Sequence, residues 1–212
     1  MILRSFHITA VSLLLAGCSM FGVRSVEEAP YTVISIDGDI ELREYSAYVS
    51  VETIVEADFE NAGNRAFGRL FGYISGENTA EQSIDMTAPV ISSGRQTSEG
   101  ESIDMTAPVL ATRNNGSWRY AFILPAEFTL DSAPPPLRDD VELVANGPRR
   151  VAAIRFSGSW RESSFAENTE RLQAWLADNR IEAASAPSFA GYDPPWTIPM
   201  LRRNEILIEV EG

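Results

Sequence analysis

The chain has 212 residues, and its 30 acidic side chains outnumber 17 basic ones, which are all arginine, so its formal net charge is −13. This charge argues against nucleic acid or an anionic lipid surface as a partner. The single histidine, His7, and the single cysteine, Cys18, both lie in the first 18 residues. If those residues are removed or modified, the mature chain has no Ser-His-Asp or Cys-His catalytic set and none of the usual zinc sites.

The N-terminal stretch "MILRSFHITAVSLLLAGC" has the layout of a secretory signal: a basic Arg4, a short apolar segment and small residues before a cysteine. Its ending "LAGC" resembles a bacterial lipobox, which implies that residues 1–17 are a signal peptide and that Cys18 is lipidated. Residues 18–30 then form a tether, and Ser19 after the cysteine implies the outer membrane, facing the periplasm. The alternatives are a chance cysteine after an ordinary signal, or a buried thiol.

Residues 31–212 are predicted to form a single domain, beginning with β-structure. "YTVISI", "IELREY" and "AYVSVETIV" alternate apolar and polar residues, and "DGD" between the first two is a turn signal. The spacing of apolar residues then changes from every second residue to the 3.6-residue period of a helix, from Phe59 to Ile74. Asp58 is placed to cap this helix and Gly76 to end it.

The octapeptide "SIDMTAPV" occurs twice, at residues 83–90 and 102–109. Alternation within each copy predicts two neighbouring strands, with Met86 and Met105 buried and Asp85 and Asp104 pointing outward. The sequence between the copies is rich in Ser and Gly and is a plausible hairpin loop.

The second half repeats this order of elements. After the predicted strand "WRYAFILP", which closes the first half, "VELVAN" and "RRVAAIRFSG" are the predicted strands of the second half. Ser164 with Glu167 forms a predicted capping box for a second helix, and Asn179 is its predicted end. An irregular, proline-rich segment then leads into a last strand at "EILIEV". The order predicts an α+β fold built from a duplicated strand-strand-helix-strand unit, with a curved antiparallel sheet and two covering helices.

The stretches "IDMTAPV", "WRYAFILPAEFTL", "RRVAAIRFSGSW" and "YDPPWTIPMLRRNEILIEV" resemble the SOUL haem-binding protein family, and the resemblance runs from about Tyr31 to Val210. It implies a distorted antiparallel β-barrel with two flanking helices. It also implies binding of haem or another tetrapyrrole in an apolar surface groove beside the first helix, without strong axial ligation. The bacterial motif usually has Lys before its Ile, where this chain has Ser83 and Ser102.

The function predicted from this resemblance is non-enzymatic binding of a planar apolar ligand in the bacterial envelope. Any haem would be held without His ligation, with Tyr192 as the first candidate iron ligand and Arg202 and Arg203 as cations for its propionates or for the phenolate. One alternative is a structural or interaction lipoprotein that no longer binds haem. An enzyme using Glu44, Tyr45, Asp193 or Glu205 is another. The candidate ligand-binding residues are Phe67, Leu70, Phe71, Met86, Met105, Tyr192, Trp196, Met200, Arg202 and Arg203.

Overall fold

The computed structural model describes residues 26–79, 100–114, 116–194 and 196–211. In this part of the chain, nine strands form one antiparallel sheet with two α-helices. The elements in chain order are β1 (Tyr31–Asp37), β2 (Ile40–Tyr45), β3 (Tyr48–Val55), α1 (Phe59–Ile74), β4 (Val109–Asn114), β5 (Ser117–Ile123), β6 (Glu142–Asn146), β7 (Arg149–Phe156), α2 (Glu162–Asp178), β8 (Ser188–Gly191), a 3-10 turn (Pro199–Leu201) and β9 (Asn204–Glu209).

The strand order across the sheet is β1-β2-β7-β9-β8-β4-β5-β3-β6. Apart from β1, the sheet consists of two equivalent halves. Strands β2, β3, β4 and β5 of the first half occupy the same relative positions as β6, β7, β8 and β9 of the second half, so exchanging the halves reverses the strand order. The repeated unit is therefore strand-strand-helix-strand-strand, one strand longer than the sequence suggested. The predicted α+β fold, a curled antiparallel half-barrel sheet with two helices, is confirmed.

The sheet separates two cores. The larger core lies between the sheet and both helices, and it includes Leu70 of α1, Leu172 of α2 and Phe189 of β8, each 0% exposed. The smaller core lies on the opposite, helix-free face and includes Tyr45, Tyr192 and Leu207. Alternation of side chains along each strand assigns neighbouring residues to these two faces.

Helix α1 begins as predicted, because the Asp58 carboxylate accepts a hydrogen bond of 3.0 Å from the amide of Asn61. Ser75 caps its end, and Gly76 follows with a φ of +109°, a conformation that favours glycine. Leu70 and Tyr73 are buried against the sheet, whereas Phe67 and Phe71 are 44% and 47% exposed. The apolar stripe read from the sequence is therefore wider than the buried face.

Helix α2 corrects one prediction. It begins at Glu162, two residues before Ser164, and its N-cap residue Arg161 makes no side-chain capping bond. The capping box of Ser164 and Glu167 was wrong, since both residues lie inside the helix. The predicted end at Asn179 is confirmed.

The second octapeptide also differs from its prediction. Residues 101–106 are not in a strand, and β4 begins only at Val109. Ile103 is buried and its amide donates to the carbonyl of Ile74 at the end of α1. Met105 is 36% exposed, so its predicted burial was wrong, while Asp104 is exposed as expected. Adjacent residues Thr106 and Ala107 are both buried, which breaks the alternation. The first copy, with Asp85 and Met86, lies outside the described residues.

The segment expected to be irregular before the last strand contains the short strand β8. Gly191 ends it, and the Trp160 ring lies where a side chain at this position would be. Only glycine permits this close approach, and the Trp160 indole donates to the Asn204 side chain at 3.0 Å. Strand β8 pairs with β4 on one side and with β9 on the other, and in this way it joins the two halves of the sheet.

Candidate functional site

An exposed aromatic patch, formed by Phe67 and Phe71, lies on α1. The rings of Phe67 and Phe71 stack, with centroids 5.6 Å apart and planes inclined by 11°. The Phe67 ring also packs edge-on against buried Phe122 of β5, again at 5.6 Å. Their spacing of four residues places the two rings one helical turn apart on the same face. The patch is thus an exposed apolar surface anchored to the buried core through Phe122.

Met105 belongs to this region because its neighbours in sequence are fixed there. The Ile103 amide donates to Ile74 at the end of α1, and the Thr106 hydroxyl donates to the carbonyl of Ile123 at the end of β5. The second octapeptide therefore runs from the end of α1 to the end of β5, the two elements that carry the aromatic rings. Met105 lies between these two fixed points and is 36% exposed.

A charged cluster lies on the other face of the sheet and is centred on Glu205, which is 0% exposed. The Arg43 guanidinium donates to both carboxylate oxygens of Glu205, at 2.6 and 2.9 Å. The Tyr192 hydroxyl donates to Glu205 Oε2 at 2.8 Å, and Arg203 Nε donates to Oε1 at 2.9 Å. Every oxygen of this buried carboxylate is therefore paired with a donor, as a buried charge requires.

The periphery of the cluster is also paired. Arg203 contacts the Glu28 carboxylate at 2.9 Å, and its guanidinium carbon lies 3.8 Å from the centre of the Tyr192 ring. Arg43 contacts Glu41 at 2.7 Å and lies 4.4 Å from the centre of the Tyr31 ring. These contacts fix the two guanidinium groups in place.

The electrostatics of the cluster follow from burial and pairing. Burial alone would raise the pKa of the Glu205 carboxyl, but the hydrogen bonds and charge of Arg43, with the charge of Arg203, outweigh it and lower this pKa. Burial raises the pKa of the Tyr192 hydroxyl well above its usual value, and the charge of Glu205 raises it further. The cluster holds Glu205 ionised and Tyr192 protonated.

This arrangement corrects the expected iron ligand. A tyrosine that ligates haem iron must lose its proton, whereas Tyr192 is 4% exposed and uses that proton in a hydrogen bond to Glu205. Arg203 is 8% exposed and paired, so it serves the cluster and is not presented to an external carboxylate. The structure places both residues on the sheet face opposite α1, away from Phe67 and Phe71.

The remaining candidates lie elsewhere. Trp196 and Met200 are 65% and 80% exposed on the loop between β8 and β9. Arg202 is half-buried, and its Nε donates to the carbonyl of Thr197 at 2.8 Å in the same loop. Leu70 is fully buried in the larger core, so it does not contribute to an exposed surface.

A shallow cleft of about 380 Å³, counting space open to solvent, lies on the helix-free face. Its lining includes Tyr45, Tyr48, Leu110 and Leu207, with Arg149 at its side. Burial raises the pKa of Tyr48 to about 12, although the nearby charge of Arg149 opposes this rise. Its enclosed volume is only about 30 Å³, far below the range for small-molecule sites of about 300–1,000 Å³, so the cleft is too small to hold a tetrapyrrole.

The structure brings together three of the four residues considered for acid–base chemistry. Tyr45 accepts from Arg43, and Asp193 accepts from the Arg203 amide, so both join Glu205 in one cluster, while Glu44 is exposed. A carboxylate with a lowered pKa and four donors is a weak general base. The sequence did not indicate Arg43, because a single arginine in a polar–apolar alternation reads as an exposed residue. The spacing of two residues between Arg43 and Tyr45 in β2 could have indicated that both side chains are buried on the same face of the sheet.

Among the described residues, no three His, Cys, Asp or Glu side chains are arranged to hold a metal ion. In the same part of the chain, no helix has the length and apolar character needed to cross a membrane.

A sequence model of the SOUL heme-binding proteins matches residues 26–209. Heme-binding protein 2 of Mus musculus is 39% identical over 184 residues, covering 84% of this chain and 82% of the mouse protein. Heme-binding protein 2 of Homo sapiens is 29% identical over 172 residues, covering 79% of this chain and 75% of the human protein.

Solved structures with the same fold are more distant in sequence. The C-terminal domain of EcmrR superimposes with a TM-score of 0.57 at 11% identity, covering 86% of this chain and 98% of that domain. A hydrolase from Listeria innocua superimposes with a TM-score of 0.54 at 10% identity, covering 84% of this chain and 94% of that protein. At such identities the likeness concerns the fold alone. The match across residues 26–209 establishes the family, and this chain belongs to the SOUL heme-binding proteins.

Proposed function

We propose that this protein binds haem or another tetrapyrrole on the aromatic patch of α1, as a non-enzymatic binding protein of the bacterial cell envelope. The observation that carries the proposal is the stacked, half-exposed pair Phe67 and Phe71. A porphyrin is a flat apolar ligand, and stacked aromatic side chains offer it a matching surface. Membership in a heme-binding family and relatives named as heme-binding proteins support the same ligand class.

The residues of the patch fit the porphyrin ring better than they fit its iron. Met105 of the neighbouring octapeptide has a side chain that can ligate iron, but its thioether is a weak acceptor. Tyr192 is buried and protonated on the other face of the sheet. We therefore expect the porphyrin ring to supply most of the affinity through apolar contact, because Arg202 lies on the loop between β8 and β9 and is bonded there to Thr197.

The proposed location rests on the sequence "LAGC". In the proposal, residues 1–17 are removed, Cys18 carries lipid, and the segment after it tethers the domain to the outer membrane on its periplasmic side. The tether is shorter than the predicted residues 18–30, because Glu28 pairs with Arg203 and Ala29 is buried in the domain. The alternative is a structural or interaction lipoprotein that no longer binds a tetrapyrrole. The buried cluster around Glu205 is compatible with either function, because its groups satisfy one another.

Parallel titrations of the tag-free protein with haemin and with iron-free protoporphyrin IX test the proposal. Because the patch offers ring contact without a strong iron ligand, both ligands should bind saturably with affinities within about tenfold of each other, a difference of roughly 1.4 kcal/mol. A flat response to both ligands, equal to that of a non-binding control protein, would favour the structural alternative. Tight binding of haemin alone, with the spectrum of a bis-His complex, would contradict the account of the site.

A further inference from the structure

We propose that the loop between β8 and β9 contacts the surface of a zwitterionic lipid bilayer through Trp196, Met200 and Leu201. This contact goes beyond tetrapyrrole binding, and it rests on the N-terminal anchorage in the proposed function. The bilayer contact loop is defined as residues 196–201, "WTIPML", a stretch without a charged side chain.

The bilayer contact loop presents its large apolar side chains to the outside. Met200 is 80% exposed, Trp196 65% and Leu201 45%. Exposed apolar residues grouped in this way mark interaction surfaces, whereas single ones do not. Tryptophan is favoured where apolar and aqueous regions meet, because its ring is apolar and its N–H is polar.

The loop is held in this conformation by its own backbone. The Thr197 amide donates to Pro194, the Leu201 amide to Ile198 and the Arg202 amide to Pro199, at 2.8–3.2 Å. The carbonyl of Pro199 also accepts a hydrogen bond from the amide of Gly158, in the segment before α2. Internal pairing of backbone groups lowers the cost of moving them out of water. The exposed side chains are therefore presented without a large ordering cost.

The position of the loop relative to the N-terminal tether indicates that its partner is a lipid bilayer. Arg203, two residues after Leu201, pairs with Glu28 at 2.9 Å, so the N-terminal segment enters the domain beside this loop. Arg202 Nε donates to the Thr197 carbonyl, which keeps Trp196 near the same point. Glu28 lies ten positions after Cys18, and an extended chain of that length spans at most about 35 Å. A lipid on Cys18 thus confines the loop to the neighbourhood of the bilayer.

The net charge of the chain favours zwitterionic over anionic lipids as the partner of the loop. The chain carries a net charge of −13, so an anionic surface repels it. The loop itself has no basic residue to attract phosphate-rich headgroups. Its contact with a bilayer is therefore apolar, and we expect it on phosphatidylcholine as well as on phosphatidylethanolamine.

The test couples the full chain to vesicles through the thiol of Cys18, the single cysteine of the sequence. The vesicles consist of phosphatidylcholine with a small fraction of maleimide-bearing phosphatidylethanolamine. This chemical tether imposes anchorage, so the result does not depend on natural lipidation or on tetrapyrrole binding. Replacing the phosphatidylcholine with its bromine-labelled form then quenches the fluorescence of tryptophans that reach the bilayer. Trp196→Phe is compared with wild type, and Trp175→Phe, a half-buried tryptophan of α2, is the matched control.

We expect quenching in wild type and in Trp175→Phe, and its loss in Trp196→Phe. Equal quenching of wild type and Trp196→Phe, or no quenching of wild type, overturns the proposal. Sedimentation equilibrium of the uncoupled protein tests the alternative that the loop binds a second copy of the same chain. A dimer that becomes a monomer in Met200→Ser assigns the loop to self-association and also overturns the proposal.

Discussion

Replacing Glu205 with Gln should strongly destabilise the protein while preserving side-chain volume. The carboxylate is fully buried and accepts four hydrogen bonds, two from Arg43 and one each from Tyr192 and Arg203. The amide removes the negative charge and turns one acceptor into a donor that faces a guanidinium. The Arg43 side chain, only 2% exposed, then remains buried beside a neutral group.

The expected magnitude follows from the cost of breaking a buried ion pair, about 3–5 kcal/mol. Arg43 keeps its 2.7 Å contact with Glu41, which is 28% exposed, and Arg203 keeps Glu28, so the lower end of that range applies. We therefore expect a loss of about 3 kcal/mol in the free energy of unfolding. With a urea m-value of about 2 kcal/mol/M, the unfolding midpoint should fall by about 1.5 M.

The assay is urea unfolding followed by circular dichroism and tryptophan fluorescence. Glu162→Gln is the matched control, because its 2.8 Å pair with Arg113 is more than half exposed on both sides. That change should cost no more than about 0.5 kcal/mol. A loss below about 1 kcal/mol in Glu205→Gln would refute the reasoning, since the cluster would then not depend on its central charge.

Three further predictions concern pH, the buried phenol and the N-terminus. The folded pKa of Glu205 lies below its unfolded value of about 4.3, so its contribution to stability should be complete above that pH and disappear as pH falls through the lower, folded pKa. Acid titration of stability should show this loss in wild type, and a flatter acid limb in Glu205→Gln. Tyr192→Phe should cost about 2 kcal/mol in urea unfolding by removing a hydrogen bond to a charged acceptor. It should leave the spectrum of bound haem unchanged, and a changed spectrum would restore Tyr192 as a ligand. Cys18→Ser should leave the domain folded but block processing or release it from the membrane fraction, and unchanged mass and fractionation would reject lipidation.

The fold was predictable because its signals are local and repeated. Alternation identified the strands, and helical spacing from Phe59 to Ile74 identified α1 with its Asp58 cap. The second octapeptide failed because alternation does not distinguish a strand from an extended segment whose burial is set by two different neighbours. Ile103 faces the end of α1, whereas Thr106 is fixed to β5, so Met105 between them is left exposed.

The candidate site was only half predictable. Phe67 and Phe71 were identified because residues four apart in a helix share a face. The face of the sheet that a strand residue occupies relative to a distant helix depends on strand order, which the sequence alone does not specify. Tyr192 and Arg203 were therefore assigned to a ligand, although they complete the shell of Glu205 on the opposite face. Arg43 was missed for the same reason, since its partner is 162 residues away.

The most direct test of tetrapyrrole binding at the aromatic patch is a haemin titration of Phe67→Ala/Phe71→Ala beside wild type. Each ring is nearly half exposed, and an aromatic side chain can bury about 200 Å², so each has about 90 Å² left for a ligand, worth up to about 2 kcal/mol. We expect the double change to weaken binding at least about tenfold. Ile36→Ala, a change at a side chain 67% exposed on β1, at the sheet edge several strands away from β5, should leave the affinity unchanged. Equal affinity of wild type and the folded double variant would contradict the proposed site.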